Sequence, residues 1–89
     1  MERRRFRVFG RVQGVGFRYT SARLAARFPV TGTVQNLPDG TVQLEVQGVP
    51  QDIAAYLASV QDHFAGNITH VETVSLPILP EEAGFSIVR

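Results

Sequence analysis

Apolar and polar residues alternate along Thr41 to Gln47, where Val42, Leu44 and Val46 are interleaved with Gln43, Glu45 and Gln47. A two-residue period puts the apolar set on one side of a strand, which predicts a sheet with one buried and one wet face. Val30 to Asn36 reads as the partner strand. Leu37-Pro38-Asp39-Gly40 joins the two as a tight turn, because proline presets φ and glycine takes a positive φ. Arg5 to Gly10 is another strand, with Phe6 and Val8 on one face and Arg7 and Phe9 on the other. Ile68 to Ile78 predicts a longer strand and Phe85 to Val88 a short last one.

Two stretches carry helical spacing instead. Tyr19 to Phe28 offers a small-residue face of Ala22, Ala25 and Ala26 with Leu24 and Phe28, suited to close packing on a sheet. Pro29 stops it. Pro50 opens a second helix whose buried stripe is Ile53, Leu57, Val60 and Phe64, with Gly66 as its stop. The resulting order is β-α-β-β-α-β with a C-terminal strand added. This is an α+β, ferredoxin-like sandwich: an antiparallel sheet with both helices on one face.

Composition narrows the class. Residues 1–89 form one small domain, with an ordinary hydrophobic fraction of 44% and a net charge of +1, which argues against disorder and against coating nucleic acid. There is no cysteine, hence no disulfide or thiol chemistry. No apolar run is long enough to span a membrane, so a soluble cytoplasmic protein, acting as a monomer, is the expectation. The charge is uneven: residues up to Arg27 carry about +7 and the remainder about −6. Arg3 and Arg4 read as a solvated tail on an edge strand, and Glu81-Glu82 as solvated charge. The positive field around residues 10–18 would draw in a small anion.

That segment is Gly10-Arg11-Val12-Gln13-Gly14-Val15-Gly16-Phe17-Arg18. Three glycines between a strand and a helix let successive N–H groups face one concavity, and a helix start adds its dipole. Arg18 supplies a planar, permanently charged fork. Tyr19 stands where a dinucleotide fingerprint needs a small residue, and no Gly-Lys-Ser or Gly-Lys-Thr follows, so neither nucleotide loop is present. A glycine-dependent turn with no ligand explains the spacing equally well.

The remaining chemistry is sparse. His63 and His70 have no cysteine or carboxylate at metal-ligand spacing. Thr20 and Ser21 lack a base and are expected to bond the local backbone. A cradle and an arginine without nucleophile, metal or acid–base pair suit a leaving group that departs unprotonated. A carboxylate leaving an acyl phosphate is such a group, and phosphoryl transfer can rest on positioning and charge stabilisation. Asn36, ending its strand, can orient water through its amide or simply bond its own turn.

Taken with Gly32-Thr33-Val34-Gln35-Asn36-Leu37-Pro38-Asp39-Gly40 and the ending Gly84-Phe85-Ser86-Ile87, the loop resembles the paired motifs of the acylphosphatase family across essentially the whole chain. The resemblance implies hydrolysis of small acyl phosphates to carboxylate and inorganic phosphate. It implies that Gln13, Gly14, Val15, Gly16, Phe17 and Arg18 hold the phosphate, that Arg18 is catalytic, and that Asn36 positions the attacking water. No metal or other cofactor is implied, and inorganic phosphate or sulfate should compete. The chain departs from the family at Thr33, where tryptophan is frequent, at Gln35, where a basic residue is frequent, and around Gly66-Asn67, which lacks the usual Gly-Pro. The alternative is a non-catalytic module on the same fold, binding a phosphate-bearing metabolite or a partner protein. An RNA-binding reading is disfavoured because Thr41 to Gln47 carries no aromatic.

Overall fold

A computed structural model describes residues 1–89. The chain forms β1 (Glu2–Gly10), α1 (Phe17–Ala25), β2 (Thr31–Asn36), β3 (Val42–Gly48), α2 (Pro50–His63), β4 (Ile68–Leu76) and β5 (Phe85–Val88). The strands make one sheet in the order β4-β1-β3-β2-β5. The first four pair antiparallel, with Phe6 opposite Leu44 and Val34 opposite Leu44 from the other side. β5 is the exception: it lies parallel to β2, with Val34 beside Ile87 and Gln35 beside Val88. This is the ferredoxin-like arrangement with an added edge strand.

The core follows from the alternation. Phe6 and Val8 of β1, Val34 of β2, and Val42, Leu44 and Val46 of β3 are buried on one face of the sheet. Onto them pack Phe17, Leu24 and Ala25 of α1 and Ile53, Tyr56 and Val60 of α2. In α2 the buried stripe is centred on Ile53, Tyr56 and Val60, and Leu57 is only half-buried. The Tyr56 hydroxyl donates to the Ser21 carbonyl at 2.9 Å, tying the two helices together inside the core. Burial pushes the Tyr56 phenol pKa well above its ordinary value.

Several boundaries differ from the sequence pattern. α1 begins at Phe17, earlier than Tyr19, and ends at Ala25, with Ala26, Arg27 and Phe28 continuing through short-range backbone bonds. Ala26 is exposed rather than on the packing face. α2 ends at His63, ahead of Gly66, and β4 ends at Leu76 because Pro77 cannot donate to the ladder. The Ser21 hydroxyl does not bond the local backbone; it is buried without a partner.

The arginine tail is also corrected. β1 starts at Glu2 and is a central strand, and Arg3 is buried. Its guanidinium reaches Glu82 at 2.7 Å and Glu45 at 3.1 Å. Burial alone would lower the Arg3 pKa, but hydrogen bonds and charge from Glu82 and Glu45 outweigh it and raise it. Arg4 pairs with Glu2 at the half-exposed start of the strand. Glu82 is therefore an anchor and not solvated charge: it also accepts from the Thr31 hydroxyl at 2.7 Å. Gln47 completes the clamp, accepting from the Leu79 N–H at 2.8 Å and donating to its carbonyl at 2.9 Å. These bonds hold the long β4–β5 connection across the sheet and so deliver β5 to the edge beside β2.

Candidate active site

The glycine-rich segment is a loop pinned at both ends. Val12 and Phe17 are buried, and the Phe17 ring packs on Phe64 with centroids 4.6 Å apart. At its base the Arg11 N–H donates to the Asn67 carbonyl at 2.9 Å, and the Asn67 amide donates back to the Arg11 carbonyl at 3.0 Å. Gly10 is required by that approach, since a Cβ there would lie 2.0 Å from the Asn67 carbonyl oxygen. The polar replacement around Gly66-Asn67 thus has a structural task. In the middle, the Gln13 side chain donates to the carbonyls of Leu37 at 2.8 Å and Thr41 at 2.9 Å. The loop is braced against the β2–β3 turn.

Between those anchors the backbone is exposed. Gly14 and Gly16 both sit at φ +78°, the left-handed conformation that turns successive amides to one side. Gly16 is also the residue before α1, where it offers no side-chain cap, and the first turn of the helix carries no acidic residue. The N–H groups of Gly14 to Tyr19 donate to no backbone or side-chain acceptor of the chain. Unsatisfied donors at the positive end of a helix are what an anion needs.

A cavity of about 300 Å³ opens at this point, lined by Val12, Gly14, Gly16, Phe17, Arg18, Tyr19, Asn36, Ile87 and Arg89. Arg18 is half-buried and makes no ion pair, unlike Arg3, Arg4, Arg5 and Arg7. The Asn36 side-chain oxygen is buried and has no hydrogen-bond partner, so it is not spent on its own turn. The turn is held by others: Asp39 accepts from the Thr41 N–H at 3.0 Å and hydroxyl at 2.6 Å, and pairs with Arg7. Those bonds from Thr41 first, then Arg7, lower the Asp39 carboxyl to about 2.

Of the residues singled out in the sequence, Gly14, Gly16, Phe17, Arg18 and Asn36 line one cavity. Gln13 does not line it; its side chain points into the brace. Val15 does not line it either and is exposed. Val12, Tyr19, Ile87 and Arg89 also line the cavity, outside the set to which the sequence points. For Arg89 one signal exists: it is the only arginine or lysine after Arg27. No three His, Cys, Asp or Glu side chains gather anywhere, and His70 has only Glu72, 3.7 Å away on the surface.

Residues 4–87 match the family model described as Acylphosphatase. A relative named acylphosphatase from Clostridium acetobutylicum is 40% identical over 99% of this chain and 98% of its own length. One of the same name from Enterococcus faecalis is 38% identical over the full length of both. The crystal structure of acylphosphatase from Bacillus subtilis superposes with a TM-score of 0.88 at 30% identity, covering both chains entirely.

Proposed function

The chain belongs to the acylphosphatase family and hydrolyses acyl phosphates; we propose that it does so on a phosphoryl group held by residues Gln13 to Arg18, with water oriented by Asn36. The observation that carries this reading is the convergence on one cavity of a loop with unpaired amides, an arginine without a carboxylate partner, and Asn36, whose buried side-chain oxygen has no partner in its own turn.

The roles follow from charge. The loop N–H groups and the Arg18 fork meet the phosphoryl oxygens, and stabilise the charge spread over them in a loose transition state. The Asn36 side-chain amide holds a water by hydrogen bonding and leaves a lone pair of that water aimed at phosphorus. The water oxygen–phosphorus bond forms as the phosphorus–carboxyl oxygen bond breaks. The electron pair leaves on the carboxylate, and the water proton ends on phosphate or solvent. Because the leaving carboxylate is a weak base, no general acid is required, and no Asp, Glu or His side chain lines the cavity. Gln13 acts through the backbone: its amide holds the cradle in place, and its own N–H belongs to the loop.

On this reading the enzyme is a cytoplasmic monomer that works without a metal. Inorganic phosphate and sulfate bind the same cradle. The test is phosphate release from acetyl phosphate or benzoyl phosphate, with added inorganic phosphate as inhibitor. Competitive inhibition is expected. Inhibition that leaves KM unchanged, or an anion located elsewhere with this loop empty, would count against the assignment.

A further inference from the structure

The arginines of the chain divide by what balances them. Arg3, Arg4, Arg5 and Arg7 are matched by carboxylates. Arg18 belongs to the cradle. Arg23 and Arg27 form no ion pair, and they meet at a second cavity. It measures about 190 Å³ and is lined by Thr20, Arg23, Leu24, Arg27 and His63. It shares no lining residue with the catalytic cavity, and no carboxylate lines it.

Local structure explains why these side chains gather. Thr20, Arg23, Leu24 and Arg27 recur at three- and four-residue spacing, which puts them on one face of α1 and the turn that continues it. His63 comes from the last turn of α2. Two of the donors are held by aromatic neighbours. The Arg23 guanidinium lies 5.6 Å from the centroid of the Tyr19 ring, and the His63 ring packs on Phe64 with centroids 4.7 Å apart. The C-terminal dipole of α1 amounts to about half a negative charge, less than the two guanidinium charges that stand there. A surplus of positive charge therefore remains in a concave site.

We propose that this cavity is a second anion site, and that it takes a free diphosphate or short polyphosphate chain. Side chains four apart on a helix have Cβ atoms about 5–6 Å apart. One phosphoryl group can fill one arginine fork, whereas a diphosphate can engage both. The Thr20 hydroxyl and the His63 imidazole add further donors. No Phe, Tyr or Trp lines the cavity to stack a base, which favours a free polyanion over a nucleotide. The site stands apart from the hydrolytic machinery and does not depend on how the acyl phosphate is held.

The test is an amide NMR titration of the wild-type protein with pyrophosphate, orthophosphate and ADP, at ionic strength held constant with NaCl. The Arg27 amide and the His63 ring protons report on the second cavity, and the Gly14 and Gly16 amides on the cradle. The second-cavity signals should titrate with pyrophosphate on a curve of their own. Their Kd should be tighter than for orthophosphate by roughly fivefold, the scale of one further exposed charge pair. ADP should bind there no more tightly than pyrophosphate. The double variant Arg23→Gln/Arg27→Gln should weaken pyrophosphate at this cavity by roughly tenfold or more. Its cradle signals should titrate as in the wild type, and its kcat/KM for acetyl phosphate should stay within about twofold. Second-cavity signals that stay still, that merely follow the cradle curve, or that titrate unchanged in the double variant would overturn the site. Equal affinity for orthophosphate, or tighter binding of ADP, would overturn the assignment to a free diphosphate.

Discussion

Gln13→Ala separates a residue that braces the cradle from one that touches substrate. The Gln13 amide donates to two carbonyls on the β2–β3 turn, at 2.8 and 2.9 Å. Each such bond contributes about 0.5–1.5 kcal/mol net, so removing both costs roughly 1–3 kcal/mol. The cost stays in that range because neither carbonyl is orphaned. Leu37 still accepts from the Gly40 N–H at 3.1 Å, and Thr41 from the Leu37 N–H at 2.9 Å. In a domain of this size roughly 4–8 °C of melting temperature goes with each kcal/mol, so Tm should fall by roughly 5–20 °C. Freed from the turn, Gly14 to Gly16 lose preorganisation, and kcat/KM should fall with a weaker Kd for inorganic phosphate. Thermal denaturation followed by circular dichroism, beside phosphate titration, measures both. An unchanged Tm would show that the two bonds add nothing net. A normal Tm with activity lost would show that Gln13 meets the substrate directly, and the bracing argument would fail.

Asn36→Ala should lower kcat sharply while weakening phosphate binding only modestly, because Asn36 holds water and not the anion; Asp39→Ala, in the same hairpin, should lose some stability and little activity, and equal losses in the two would reduce Asn36 to a turn residue. Hydrolysis should survive EDTA, because the departing carboxylate needs no Lewis acid; loss reversed by Mg²⁺ or Zn²⁺ would refute the mechanism. Stability should fall above pH 10. There an unfolded Tyr56 releases its proton while the folded one, its pKa raised by burial, keeps it, giving a slope of about 1.4 kcal/mol per pH unit. Tyr56→Phe should flatten that limb of a urea-denaturation series, and an unchanged limb would assign it elsewhere.

Local pattern carried much of the architecture. Val42, Leu44 and Val46 were legible as a buried face because a strand alternates, and Phe6 and Val8 for the same reason. Leu37-Pro38-Asp39-Gly40 was legible because each turn position restricts φ. What lay beyond reach was partnership over distance. Arg3 sits among three other arginines and looks like a tail; its partners, Glu45 and Glu82, lie far along the chain. Without knowing that β1 is central, nothing marks Arg3 as buried. A helical stripe read from apolar residues alone takes Leu57 and discounts Tyr56, a phenol whose hydroxyl finds the Ser21 carbonyl inside the core.

The site divides the same way. Gly14, Gly16 and Arg18 are contiguous, so a cradle could be read from one segment. Asn36 is ambiguous on its own, and only the resemblance to a family implies a role for it; the structure adds that its side-chain oxygen is buried without a partner, so its own turn does not use it. Arg89 reaches the cavity only through parallel pairing of β5 with β2, which no local spacing encodes.

The most direct measurement is the kcat/KM for acetyl phosphate of Arg18→Ala and Arg18→Lys beside the wild type, with folding checked by circular dichroism. If Arg18 supplies a preorganised fork to the transferring phosphoryl oxygens, Ala should cost roughly 10²–10³ in rate or more, and Lys should restore little of it. Near-normal turnover by the Lys variant would mean that a point charge suffices, and near-normal turnover by the Ala variant would mean that the phosphate is held elsewhere.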